Sequence, residues 1–101
     1  MDKSNGIQIE FASNGNTFKS NTIYNMAQNG YSMLYAENNT INGGSVIDCG
    51  YHGISNSTGC ENNTFSSINI TGCGNNGISL YYAKNASISG NKISYCGSRG
   101  I

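Results

Sequence analysis

Asn76-Gly77-Ile78-Ser79-Leu80 is the stretch on which the fold turns, because the chain keeps returning to it. Asn5-Gly6-Ile7-Gln8-Ile9, Asn29-Gly30-Tyr31-Ser32-Met33 and His52-Gly53-Ile54-Ser55-Asn56 are earlier copies, and Arg99-Gly100-Ile101 opens another. The glycines at 6, 30, 53, 77 and 100 stand 23 or 24 residues apart. A unit repeated at that period cannot bury its apolar face alone, so the copies stack around one shared core.

Laid over one another, the copies align in columns. Ile7, Tyr31, Ile54, Ile78 and Ile101 form the first, with Ile9, Met33, Asn56 and Leu80 two residues on. A second strand supplies Phe18, Ile41, Phe65 and Ile88, and a third supplies Ile23, Val46, Ile70 and Ile93. Met26, Cys49, Cys73 and Cys96 make a last column. Each copy holds three short alternating strands separated by Asn- and Gly-rich bends. No segment sustains a 3.6-residue apolar stripe, so helices are not expected. The predicted fold is all-β: a parallel β-helix of about four coils of 23–24 residues, three short strands to a coil. The absence of Pro suits strands whose N–H groups are all needed for a ladder.

The bends carry their own pattern. Asn16, Asn39 and Asn63 share a column, each followed by Thr and a large apolar residue. Asn tolerates left-handed backbone, and its amide is expected to bond to the Asn one coil away. Asn5, Asn29, His52, Asn76 and Arg99, which precede the glycines, read as a turn column exposed to water.

Composition narrows the function. Five basic and five acidic residues among 101 give no electrostatic case for nucleic acid. No apolar run approaches the roughly 20 residues that span a bilayer, so membrane insertion is not expected. The N-terminus lacks the basic-then-apolar pattern of a signal segment.

Asn38-Asn39-Thr40-Ile41, Asn62-Asn63-Thr64-Phe65, Ile88-Ser89-Gly90-Asn91-Lys92-Ile93 and the recurrent Asn-Gly-Ile resemble the right-handed parallel β-helix repeats of the pectate-lyase-like superfamily. Within it they look closest to the repeats of NosD-like periplasmic and archaeal surface proteins. The resemblance implies a right-handed coil and an extracellular, cell-surface or virion location, against which four cysteines without obvious pairing weigh mildly. Complete members are usually longer and often carry an N-terminal capping helix. Residues 1–101 therefore read as a single β-helix repeat module, a fragment of or unit from a larger solenoid, whose open coil ends could self-associate.

Catalytic chemistry finds few residues. Pectate lyases of the superfamily hold calcium with clustered acids beside a basic residue. Here Glu37 and Glu61 fall near one bend on adjacent coils with Lys84 on the next, and no third carboxylate joins them. Calcium needs six to eight oxygen ligands, so no metal site is expected, calcium at the Glu37–Glu61 pair being the lesser alternative, and these three are weak acid/base candidates. The paired carboxylates of a glycosidase are absent from the column of Glu10, where Leu34, Ser57 and Tyr81 follow. His52, the one histidine, reads as a surface turn residue. Cys49, Cys73 and Cys96 read as a buried ladder of reduced thiols, with Cys60 apart in a bend. Sequons at Asn38, Asn56, Asn62, Asn69 and Asn85 are read as a product of composition.

The functional surface expected is the outer face of the first strand, with Gln8, Ser32, Ser55 and Ser79 beside Glu10 and Tyr81. Glu10, Tyr35, Tyr81 and Tyr82 are the candidates for glycan contact, since tyrosine faces with nearby hydroxyls stack on sugar rings. For Phe11, Tyr35 and Tyr82 the favoured alternative is an aromatic stack inside a corner of the core. The function expected is a noncatalytic scaffold or glycan-contacting module, with polysaccharide as partner and no cofactor. Part of a polysaccharide lyase, epimerase or hydrolase is the alternative, and an end-to-end assembling unit a second.

Overall fold

Short alternating runs, each ended by Asn, Gly or Ser, become twelve strands in the computed structural model, which describes residues 5–101. The first coil supplies β1 (Ile7–Glu10), β2 (Thr17–Lys19) and β3 (Thr22–Tyr24); the second β4 (Tyr31–Leu34), β5 (Thr40–Asn42) and β6 (Ser45–Ile47). The third supplies β7 (Ile54–Asn56), β8 (Thr64–Ser66) and β9 (Asn69–Thr71); the fourth β10 (Ile78–Ser79), β11 (Ser87–Ser89) and β12 (Lys92–Ser94). Each strand pairs in parallel with its equivalents one coil away, giving sheets β1-β4-β7-β10, β2-β5-β8-β11 and β3-β6-β9-β12. The chain is thus a solenoid of about four turns, and no helix occurs among the described residues.

The columns are the registers. Ile7 pairs Tyr31, Tyr31 pairs Ile54 and Ile54 pairs Ile78; Phe18, Ile41, Phe65 and Ile88 align likewise, as do Ile23, Val46, Ile70 and Ile93. On the two middle coils these side chains are sealed, whereas Ile7, Phe18, Ile88 and Ile93 on the outer coils pack only partly buried. Tyr31 breaks the isoleucine column: its ring meets Phe18 edge-on at 6.3 Å, and burial pushes its phenol up, opposed by the Asn21 side chain. One column ends early. Leu80, expected beside Met33, lies outside β10 and is exposed, because the chain turns from Leu80 C=O to Ala83 N–H.

Four columns of left-handed residues turn the coils, with Ala12 and Gly44 as additional left-handed positions on the first two. Phe11, Tyr35, Gly59 and Tyr82 form one column at positive φ, and Gly15, Asn38, Asn62 and Asn85 a second. Ser20, Gly43, Ser67 and Gly90 form a third, and Asn25, Asp48, Gly72 and Tyr95 a fourth. Left-handed backbone costs an L-residue other than Gly or Asn roughly 1–2 kcal/mol, which stacked parallel strands on either side must offset. The left-handed Asn is therefore the first of each Asn-Asn pair, one residue earlier than the sequence suggested.

The second Asn of the pair does different work. Asn39 and Asn63 are fully buried. Asn16 N–H donates to Asn39 Oδ1 at 2.9 Å, and Asn39 N–H donates to Asn63 Oδ1 at 2.8 Å. Asn63 Nδ2 donates to Ala36 C=O and to Asn56 Oδ1. The ladder runs from amide oxygen to main-chain N–H, not from amide to amide, because each corner breaks strand pairing and leaves a main-chain donor to be satisfied.

The column before the glycines is a second ladder of the same kind, and this corrects the expectation of a solvated turn. Asn29 N–H donates to Asn5 Oδ1, His52 N–H to Asn29 Oδ1, Asn76 N–H to His52 Nδ1 and Arg99 N–H to Asn76 Oδ1. Asn29 and His52 are buried; only the end of the column opens to water. The following glycine is needed for space. A Cβ at Gly53 would lie 2.5 Å from Ile70 Cγ2 and 2.6 Å from Gly77 O, and Gly6, Gly30 and Gly77 meet equivalent atoms.

Candidate functional site

On the outer face of the first sheet, polar side chains, two aromatic rings and a concavity coincide. Residues that alternate with the core column point outward, so Ser55 and Ser79 become register partners on the exposed side of β7 and β10. Corners stand at both ends of these short strands and carry larger side chains. Tyr51 lies at the entry corner, in the column of Gln28 and Asn75, as its main-chain bonds to both residues show. Tyr81 lies at the exit corner. Tyr51, His52, Ser55, Ser57, Ser79 and Tyr81 together line an open groove of about 340 Å³. Tyr51 and Tyr81 remain 49% and 64% exposed, so both rings are available to a ligand.

His52 forms part of the groove and of the buried ladder at once. Its ring packs 4.2 Å from that of Tyr51, and its Nδ1 accepts from Asn76 N–H at 3.3 Å. Burial pushes the imidazole below the usual histidine range, opposed by a smaller raising effect of the Asn76 backbone. A nitrogen that accepts an N–H cannot also carry a proton, so the ring is held neutral with its proton on Nε2. Because the folded-state pKa lies below the unfolded one, the neutral ring contributes fully above about pH 6.5. That contribution is lost as pH falls below this value, where only the unfolded chain takes up the proton. Urea unfolding at pH 8 and pH 5 is expected to show this loss in the native chain. His52→Asn, which keeps an acceptor for Asn76 N–H as Asn29 and Asn76 do on their rungs, is expected to flatten it.

The other candidates separate. Glu10 stays on the first coil, paired with Leu34 and bonded by Gln8 Nε2 at 2.6 Å, and it does not line the groove. Phe11 and Tyr35 stack at 5.6 Å, but on the surface, at 66% and 48% exposure. The core-corner alternative is therefore wrong, because left-handed backbone at this column turns the side chains out. Gly59 occupies the same column one coil on, and the Tyr35 ring covers the space its Cβ would take. Tyr82 is 71% exposed and tilts against Tyr81 at 4.3 Å.

Glu37, Glu61 and Lys84 do come together, as bridge partners on three successive coils. Their column lies beyond the exit corner and lines no part of the groove. Among the described residues no cluster of three metal-ligating side chains forms.

Cys60 lies in the bend as expected, its N–H donating to Ser57 C=O across the exit corner, but it is fully buried, between Ala36 and Ala83 in the column that precedes Glu37, Glu61 and Lys84. All four cysteines are free thiols. Cys73, hydrogen-bonded to Cys49 and buried, is pushed well above the ordinary thiol range, while the same contact lowers Cys49. Of the five sequons, Asn56 is sealed in the core, whereas Asn38, Asn62, Asn69 and Asn85 are exposed.

Sequence reasoning missed Tyr51 and misread His52. The available signal was an aromatic residue in a corner column otherwise made of Gln28, Asn75 and Ser98. For comparison with known proteins, a family model described as a right handed beta helix region matches residues 2–101. No curated protein and no solved structure matches the chain.

Proposed function

The chain belongs to the right-handed β-helix family, and from that premise we propose that it is a noncatalytic scaffold whose first-sheet outer face contacts a glycan. The observation that carries the reading is the groove with tyrosine walls and a serine floor: Tyr51 and Tyr81 on either side of Ser55 and Ser79. Sugar rings present apolar C–H faces to aromatic rings and hydroxyls to short polar side chains, and this arrangement offers both. A rigid parallel sheet beneath supplies preorganisation, so little ordering entropy is lost on binding.

The enzymatic alternative is less well supported. Its weak acid/base residues, Glu37, Glu61 and Lys84, stand outside the groove, so a sugar bound between the tyrosines would not meet them. The scaffold reading needs no calcium.

Titration of soluble oligosaccharides, neutral and acidic, by calorimetry tests the reading. Tyr81→Ala and Tyr51→Ala are each expected to weaken binding by about fivefold to tenfold, the worth of one aromatic contact. Thermal stability should hold for Tyr81→Ala, whose ring is largely exposed, and fall slightly for Tyr51→Ala, whose ring is half-buried against His52. Affinity unaffected by either change would overturn the groove as the site. Turnover of a uronate polymer that is lost on Glu61→Gln would replace the scaffold by an enzyme.

A further inference from the structure

Within the groove, one donor has its tautomer set by a main-chain contact. Nδ1 of His52 is committed to Asn76 N–H, which leaves Nε2–H as the ring's remaining donor. His52 is 9% exposed and borders the groove. Asn56 Nδ2 is the one sealed side-chain nitrogen or oxygen without a partner among the described residues, so Nε2 is not sealed from solvent, and the groove is the concavity that His52 lines. A donor whose tautomer is fixed by the backbone, on a side chain more than nine-tenths buried, cannot turn away to find another acceptor.

The charge of the groove is equally specific. Tyr51, Ser55, Ser57, Ser79 and Tyr81 carry none, and His52 is held neutral. A carboxylate entering it would lose hydration with no cation to replace it.

Resting on the glycan reading above, we propose that the groove takes an uncharged oligosaccharide and that His52 is its specificity-determining donor, giving Nε2–H to a hydroxyl or acetamido oxygen of the sugar held between Tyr51 and Tyr81.

The test uses the intact chain with ¹⁵N-labelled histidine at pH 7.5, titrated separately with neutral β-glucan, mannan and chitin oligosaccharides and with oligogalacturonate. Expected is binding of a neutral oligosaccharide with a shift of the Nε2 resonance while Nδ1 stays unprotonated, and no binding of oligogalacturonate. His52→Asn should keep the melting temperature but weaken the neutral ligand about tenfold, the worth of one hydrogen bond to a fixed donor. Oligogalacturonate bound as tightly as the neutral sugars overturns the ligand class while leaving a glycan site. Neutral binding unchanged in His52→Asn, or a proton found on Nδ1, overturns the role of His52. Binding of neither class removes the glycan reading and this inference together.

Discussion

Gly53→Ala is expected to cost about 4 kcal/mol and to leave the chain largely unfolded at 37 °C. The added Cβ would sit 2.6 Å from the carbonyl oxygen of Gly77 and 2.5 Å from Ile70 Cγ2, with Cys73 Sγ at 3.2 Å. The first of these neighbours is backbone of the next coil, which itself accepts from Ile54 N–H at 2.8 Å and cannot move without losing that bond. Overpacking a core costs roughly 1–3 kcal/mol where side chains can shift, and more where backbone must move. Folded domains hold only about 5–15 kcal/mol in total. Ile70→Ala in the same chain should not rescue it, because the carbonyl clash remains. Gly15→Ala is the control: no atom lies within 4 Å of its Cβ, and only its φ of +74° is penalised, by roughly 1–2 kcal/mol. Chemical denaturation of the three variants checks the ranking. Equal losses at Gly53 and Gly15 would mean that conformation, not space, selects glycine in the repeat.

Asn63→Ala is expected to lower the melting temperature by roughly 20 °C. The side chain serves three groups at once: it accepts from Asn39 N–H and donates to Ala36 C=O and Asn56 Oδ1. Truncation strands all three in a region closed to water, each orphan costing about 1–3 kcal/mol. A total near 4 kcal/mol at about 4–8 °C per kcal/mol gives the shift for a domain of this size. The neighbouring Asn62→Ala should lose only about 1 kcal/mol, since Asn62 is exposed and its left-handed backbone, φ 58°, is all that Ala tolerates less well. Thermal scans followed by circular dichroism separate the two. A small effect at position 63 would mean that the ladder is decorative and that strand pairing alone holds the corner.

The sequence by itself determined the coil. A period of 23 or 24 residues, three apolar positions per copy kept in register, and turn residues between them admit one economical solution, because β side chains alternate and only stacking closes the core. Ile7, Phe18, Ile23 and their successors are found where that logic puts them.

Tertiary structure decided which face each corner residue takes. At a corner the alternation stops, and a left-handed residue reverses the expected side, so nothing in the order of residues fixes whether Tyr35 points in or out. The same limit hid the site. Tyr51 and Tyr81 are 30 positions apart in the chain, at opposite ends of adjacent strands of one sheet, and they line one groove only because the coils stack in register. His52 looked like an exposed substitute for Asn in a turn. Stacking one coil on the next turned it into a buried ladder member with a fixed proton, since Asn76 N–H finds its acceptor only when the coils are in place.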